Sequence, residues 1–189
     1  MANVNENLLV RGARGNVGKQ FVYRRHGNDT NIGRMPVLSK NAAPTEKQSR
    51  IRELFSEAVI YARGVLSSAD LKKEYEKKAM PGRTAYNMAF RDFLKAPVVK
   101  GIDVFNYKGA PGSTIVIKAK DDFRVAEVRL SIHTAAGVLV EEGNAVLNPI
   151  QQSLWTYTAT QNNATLAGCV ISATALDLPG TQGSLEITL

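Results

Sequence analysis

At Pro97 the hydrophobic spacing of this chain changes from steps of three and four to alternation, so it is neither wholly helical nor wholly β. Beyond that proline, seven stretches read as strands: Val99–Tyr107, Thr114–Ala119, Val125–His133, Val138–Val146, Leu154–Thr160, Cys169–Leu176 and Leu185–Leu189. Turn residues separate them, among them Lys108-Gly109-Ala110-Pro111-Gly112, Ala135-Ala136-Gly137 and Asp177-Leu178-Pro179-Gly180. Val128, Leu130 and Ile132 alternate with Arg129, Ser131 and His133, the pattern of a sheet with one buried and one wet face. Seven short strands at this spacing predict an antiparallel sandwich over residues 97–189.

Residues 44–96 follow the helical period. Thr45 and Gln48 form a capping-box pattern, and Ile51, Leu54, Phe55, Ala58, Tyr61, Ala62 and Val65 predict one apolar stripe on a helix over about 46–66. Ser67 and Ser68 can cap a second, highly charged helix over 69–79 with Leu71, Tyr75 and Ala79 as its contacts. After Pro81 and Gly82, a third helix starts at Thr84, carries Tyr86, Ala89, Phe90 and Phe93, and stops before Pro97. Three such helices make a small bundle with a thin core.

Residues 1–43 offer little to build a core. Two apolar patches, Leu8-Leu9-Val10 and Phe21-Val22-Tyr23, stand among glycines and arginines. Lys19–Arg25 predicts one strand, and His26-Gly27-Asn28-Asp29 a turn that folds it back as a hairpin. The expectation is an arm that docks on something, because an isolated hairpin is marginal in water.

Charge follows the same division. Residues 1–95 hold 18 basic and 9 acidic side chains, a balance of +9, whereas 96–189 hold 6 and 8, a balance of −2. A basic N-terminal half suits nucleic acid, an anionic surface or the acidic face of another subunit. The lone Cys169 excludes an internal disulfide and reads as a small buried hydrophobe. Neither a secretory signal nor a run of about 20 apolar residues is present, so the expectation is a chain soluble and cytoplasmic at synthesis, without membrane insertion.

Asp121-Asp122-Phe123, the strand Val125–His133, Leu139-Val140-Glu141-Glu142-Gly143, Trp155–Thr160 and Ala175–Gly180 together resemble bacterial immunoglobulin-like modules. The resemblance covers about half the chain and implies a fold shared by adhesins, phage structural proteins and enzyme accessory domains. Antibody-type disulfide cysteines are missing, and Trp155 remains as a core anchor. Gly15-Asn16-Val17-Gly18-Lys19, Pro44–Gln48 and Arg52–Phe55 resemble uncharacterised proteins of the Bacteroidota and their phages. That second resemblance implies an assembly or phage-related role and supplies no binding or catalytic residue.

Candidate chemistry is sparse. Ala13–Gln20 contains the Gly-Lys of a phosphate-binding loop, but Ala13 replaces its first glycine and Gln20 its magnesium-binding hydroxyl residue. His26 and His133 lie in different segments, and neither has a carboxylate or cysteine at ligand spacing. Asp121, Asp122, Glu141, Glu142 and Asp177 fall at predicted strand ends, where they would either gather around Ca²⁺ or cap turns and remain solvated. No cofactor, metal or catalytic group is assigned.

The basic residues Arg11, Arg14, Lys19, Arg24, Arg25 and Arg34 interleave with Phe21 and Tyr23. They would track a phosphate backbone, keep a solvated arm from aggregating, or meet a neighbouring subunit while the arm adds to its sheet edge. The sequence is thus read as α+β: a basic arm (1–43), a segment of about three helices (44–96) and a seven-stranded antiparallel immunoglobulin-like β-sandwich (97–189). The leading function is a non-enzymatic assembly protein, a phage virion component or fibre subunit, self-associating through Leu8, Leu9, Val10, Arg11, Arg14, Lys19, Phe21, Val22, Tyr23, Arg24 and Arg25. Its partners would be other copies of itself or a structural protein; the alternative is nucleic-acid binding by the basic half.

Overall fold

The computed structural model describes residues 2–4, 6–36 and 43–189, with the side chains of Ala2, Asn3 and His26 left out of that description. The chain divides into two compact units, residues 1–45 and 46–189.

The first unit is a sheet where the sequence predicts an arm. Strands β1 (Ala2–Asn3), β2 (Gly15–Val17), β3 (Phe21–His26) and β4 (Asp29–Arg34) pair antiparallel in the order β1-β4-β3-β2. The predicted hairpin forms, with His26 opposite Asp29 and Gly27 at φ 62 in the two-residue turn. The loop before β2 folds back through Thr30, whose Oγ1 accepts from Gly12 N at 3.0 Å and whose carbonyl accepts from Val4 N at 2.9 Å. β1 and β2 escape a sequence reading because two and three residues are too few to show alternation. The expected arm also covered residues 37–42, which lie outside the described residues.

In the second unit, α1 (Glu46–Ser67), α2 (Ala69–Lys78) and α3 (Ala85–Leu94) form close to the predicted limits, with Ser68 and Thr84 as N-caps of α2 and α3. Their buried faces differ from the predicted stripes. α1 buries Ala58, Ala62 and Val65, while Ile51, Leu54 and Phe55 remain exposed on its first turns. α3 buries Ala85, Met88, Ala89 and Asp92, so the predicted stripe is rotated and its deepest side includes a carboxylate. Alanines on both helices let α1 and α3 approach closely but leave little apolar volume. Phe123, from a turn in the β-rich part, fills that core and stacks on Tyr75 with ring centroids 3.8 Å apart.

Eight strands follow: β5 (Val98–Asp103), β6 (Thr114–Lys120), β7 (Val125–His133), β8 (Leu139–Asn144), β9 (Val146–Leu147), β10 (Leu154–Thr158), β11 (Val170–Asp177) and β12 (Gln182–Thr188). They form two four-stranded antiparallel sheets, β5-β6-β10-β9 and β12-β11-β7-β8. The predicted seven strands become eight because the stretch Val138–Val146 divides at the buried Ala145, with β8 in one sheet and β9 in the other. Alternation delivers Ile115 and Ile117 from the first sheet, and Val128, Leu130, Ile132 and Ile171 from the second, into one core. Trp155 belongs to that core, and Cys169 is fully buried beside it. Gly183 stands where a Cβ would lie 1.8 Å from the Pro97 carbonyl, so the start of β12 passes directly against the entry to β5.

Candidate functional site

The residues predicted to make contacts are not gathered as the sequence suggests. Leu8 and Leu9 sit in a turn held by Asn7, whose Oδ1 accepts from Leu9 N, and are 85% and 94% exposed. Val10 is half-buried. Phe21 and Tyr23 share a sheet face with Val17 and Ile32, their rings edge-to-face at 5.7 Å, while Val22 belongs to the opposite face. β3 is hydrogen-bonded to β2 on one side and β4 on the other, so Phe21-Val22-Tyr23 has no free edge to add to another sheet. The predicted strand addition by this segment is thereby corrected: its contacts must use side chains, and the unit's edges are β1 and β2.

Alternation also separates the cations. Arg24 belongs to the Val22 face, Arg25 and Arg34 to the Phe21 face, and Arg25 Nε donates to the Gly27 carbonyl at 2.9 Å. Arg11, Arg14 and Lys19 are exposed in the flanking turns. Lys19, at φ 57, lies between antiparallel β2 and β3 with its N–H donated to Asn16 Oδ1. Gly15–Lys19 is therefore a hairpin and lacks the strand-to-helix geometry of a phosphate loop.

The second unit gathers charge that summing by halves conceals. A groove of about 970 Å³ is lined by Lys77 and Lys78 of α2, Lys100 of β5, Lys118 and Lys120 of β6 and Arg124 of the β6–β7 turn. Lys118 and Lys120 are two residues apart, so the alternation that sends Ile117 and Ala119 inward turns both lysines outward. Lys100 joins them at a bulge, where Val99 pairs with Ala119 and Gly101 with Lys118. Phe123, Val125 and Leu147 supply apolar lining, and Glu74 and Asp121 are the acidic members.

Those two acids are already engaged. Glu74 pairs with Arg124 at 3.2 Å, and Asp121 Oδ2 accepts from the backbone N–H groups of Phe123 and Arg124. Lys78 donates to the Phe123 carbonyl and lies over its ring. Among the described residues, Lys77, Lys100, Lys118 and Lys120 have no ion-pair partner.

Behind the groove lies a buried polar chain. Tyr61 and Tyr75 share a hydroxyl–hydroxyl bond of 2.9 Å, and Tyr75 donates to Asp92 Oδ2 at 2.7 Å. Two buried carboxyl oxygens of this cluster, Asp92 Oδ1 and Asp121 Oδ1, have no hydrogen-bond partner among the described residues. Burial first, and the charges of Asp121 and Asp177 after it, push Asp92 up to about 7 against the opposing bond from Tyr75. Burial drives the Tyr75 hydroxyl far above the usual tyrosine range, and its bonds to Tyr61 and Asp92 add to that.

Four of the five carboxylates considered for calcium have a local task, that of Asp121 being to cap the turn before β7. Asp122 pairs with Lys95 at 2.6 Å and Arg91 at 2.9 Å, and the Lys95 bond is the main cause that holds it below the usual carboxylate range. Asp177 takes the N–H and hydroxyl of Thr181 across the β11–β12 turn, and burial raises it. Glu141 Oε2 collects Tyr157 Oη, Thr160 N, Thr160 Oγ1 and Gln161 N, fixing the loop after β10; burial, then the charge of Glu141, push Tyr157 up to about 12. Glu142 is exposed. Among the described residues, no three His, Cys, Asp or Glu side chains are grouped to hold a metal ion, and no helix is long and apolar enough to cross a membrane.

Sequence reasoning missed the groove because its cations come from α2, two strands and a turn. The Lys-x-Lys pattern of β6 was the available signal. No protein-family model matches this chain, and no curated protein matches it.

Proposed function

We propose that the chain is a non-enzymatic structural subunit that self-associates through its N-terminal sheet, with an immunoglobulin-like sandwich as the building block, of the kind used in virions and fibres. One observation carries this reading: in the first unit, Thr30 is the single buried side chain among those described, and no apolar one is buried. A four-stranded sheet without a core is marginal in water, so a covering surface is needed for it to persist. Leu8, Leu9 and the Phe21–Tyr23 face offer that contact.

The strand order supports the immunoglobulin-like label. Lettered A, B, C, C′, D, E, F and G in chain order, β5 to β12 divide into A-B-E-D and G-F-C-C′, the immunoglobulin division with one strand added. Trp155 falls on strand E rather than the antibody position on strand C.

Nucleic-acid binding by the N-terminal half has less support, because Arg24 and Arg25 belong to opposite sheet faces and make no continuous phosphate track. Sedimentation at tens of micromolar (on the order of where weak association registers) tests the proposal. The intact chain should form an oligomer that persists in high salt, and Leu8→Ser/Leu9→Ser/Phe21→Ser should be monomeric. A monomeric intact chain overturns self-association. Submicromolar DNA binding in about 150 mM salt, lost when Arg11, Arg14, Lys19, Arg24 and Arg25 become Gln, would establish the alternative.

A further inference from the structure

We infer that the lysine groove of the second unit binds an acidic polypeptide segment in which carboxylate and apolar side chains alternate. The inference does not depend on self-association through the first unit. Its basis is charge complementarity in a formed concavity: among the described residues, Lys77, Lys100, Lys118 and Lys120 lack ion-pair partners, while the acids at the rim are engaged by Arg124 and by backbone N–H groups. The groove thus presents uncompensated positive charge.

Three features select a peptide over other anions. The cations come from a helix, two strands and a turn, an array suited to several carboxylates along a chain rather than to one compact anion. Val125 and Leu147 line the same groove and are only partly covered, so an apolar side chain between two acidic ones has a surface on which to lie. A phosphate backbone offers nothing to that lining. Stacking of a nucleobase, the usual device for single strands, would need an open ring, whereas Phe123 is 4% exposed, with Tyr75 stacked at 3.8 Å and Lys78 Nζ 4.7 Å from its centroid.

An extended ligand with period-two side chains suits these elements. Lys118 and Lys120 stand one strand repeat apart, on the scale at which alternate residues of an extended peptide project to the same side. The ligand class is therefore an acidic, partly apolar segment of a partner protein.

Fluorescence anisotropy on the full-length protein tests this with a labelled peptide alternating Glu and Val, a peptide of Glu alone, and single- and double-stranded DNA of matched charge. The Glu-Val peptide should bind most tightly and survive about 150 mM salt. Lys100→Gln/Lys118→Gln/Lys120→Gln should weaken it by about tenfold or more, whereas Lys72→Gln/Lys73→Gln, outside the groove, and the N-terminal Arg and Lys changes should leave it within about twofold. Circular dichroism and the thermal transition of the groove variant must match the parent, as expected for exposed lysines. Tighter DNA binding that is lost in the groove variant would make this a polyphosphate site and overturn the proposal. So would equal binding of both peptides, loss of binding at physiological salt, or no effect of the groove changes.

Discussion

The two units build antiparallel sheets by opposite means. In the second, Ile115, Ile117, Val128, Leu130, Ile132 and Ile171 are completely withdrawn from solvent, and the backbone ladders follow from the burial of those side chains. In the first, ladder bonds and a buried threonine hold the strands while Phe21, Tyr23 and Ile32 remain partly exposed. The contrast teaches that strand pairing and stability are separate properties. A sheet gains its stability from what covers it, and among the described residues of the first unit no apolar side chain is buried on either face.

The largest expected effect is therefore a difference between equivalent truncations. Leu130→Ala removes a fully buried side chain and should cost about 2–5 kcal/mol in urea unfolding. Phe21→Ala, measured at a concentration too low for association, should cost under about 1 kcal/mol. Equal losses would break the comparison and imply a hidden core in the first unit.

A smaller effect sharpens it at the buried polar end of the helical core. Asp92 titrates at about 7 in the folded chain and near 4 when unfolded. Between those values the folded chain retains a proton that the unfolded chain has released, so this group makes stability fall as pH rises through that window and adds no further change above it. Asp92→Asn keeps an acceptor for Tyr75 and removes the ionisable carboxyl. The variant should exceed the parent by about 1–3 kcal/mol at pH 8, with the advantage fading toward pH 4. Chemical denaturation at both pH values decides it, and a parent that is more stable than the variant at pH 8 refutes the upward shift of Asp92.

The smallest perturbation is isotopic. Native-state hydrogen exchange should find β3 and β4 amides opening at a small fraction of the global free energy, while β7 and β11 exchange only by global unfolding of the second unit. On self-association, the protection of β3 and β4 rises with protein concentration and that of β7 and β11 does not.

The contrast also explains what could be read in the sequence. All three helices and the seven predicted strand segments were legible, because Val128-x-Leu130-x-Ile132 and Ala58-x-x-x-Ala62-x-x-Val65 carry their periods in adjacent residues. β1 and β2 were not, since a strand defined by its partner and not by a buried face leaves no alternation. The division of one predicted strand at Ala145 was equally silent, because crossing between sheets changes the partner while the apolar pattern continues through Leu147. Asp92 was hidden for a different reason: a polar residue next to Phe93 reads as solvent-facing until Tyr75 and Asp121 are brought to it from α2 and the β6–β7 turn.

The contact between Gly183 and Pro97 has a mechanical consequence. It puts the entry to β5 beside the start of β12, and β12 then runs on from Gly183 to Thr188, roughly 17 Å at the usual rise per residue. A pull between Pro97 and the far end of β12 is thus directed along the strands. Such tension loads the β5–β6 and β11–β12 ladders in shear, so many hydrogen bonds resist together instead of parting one at a time.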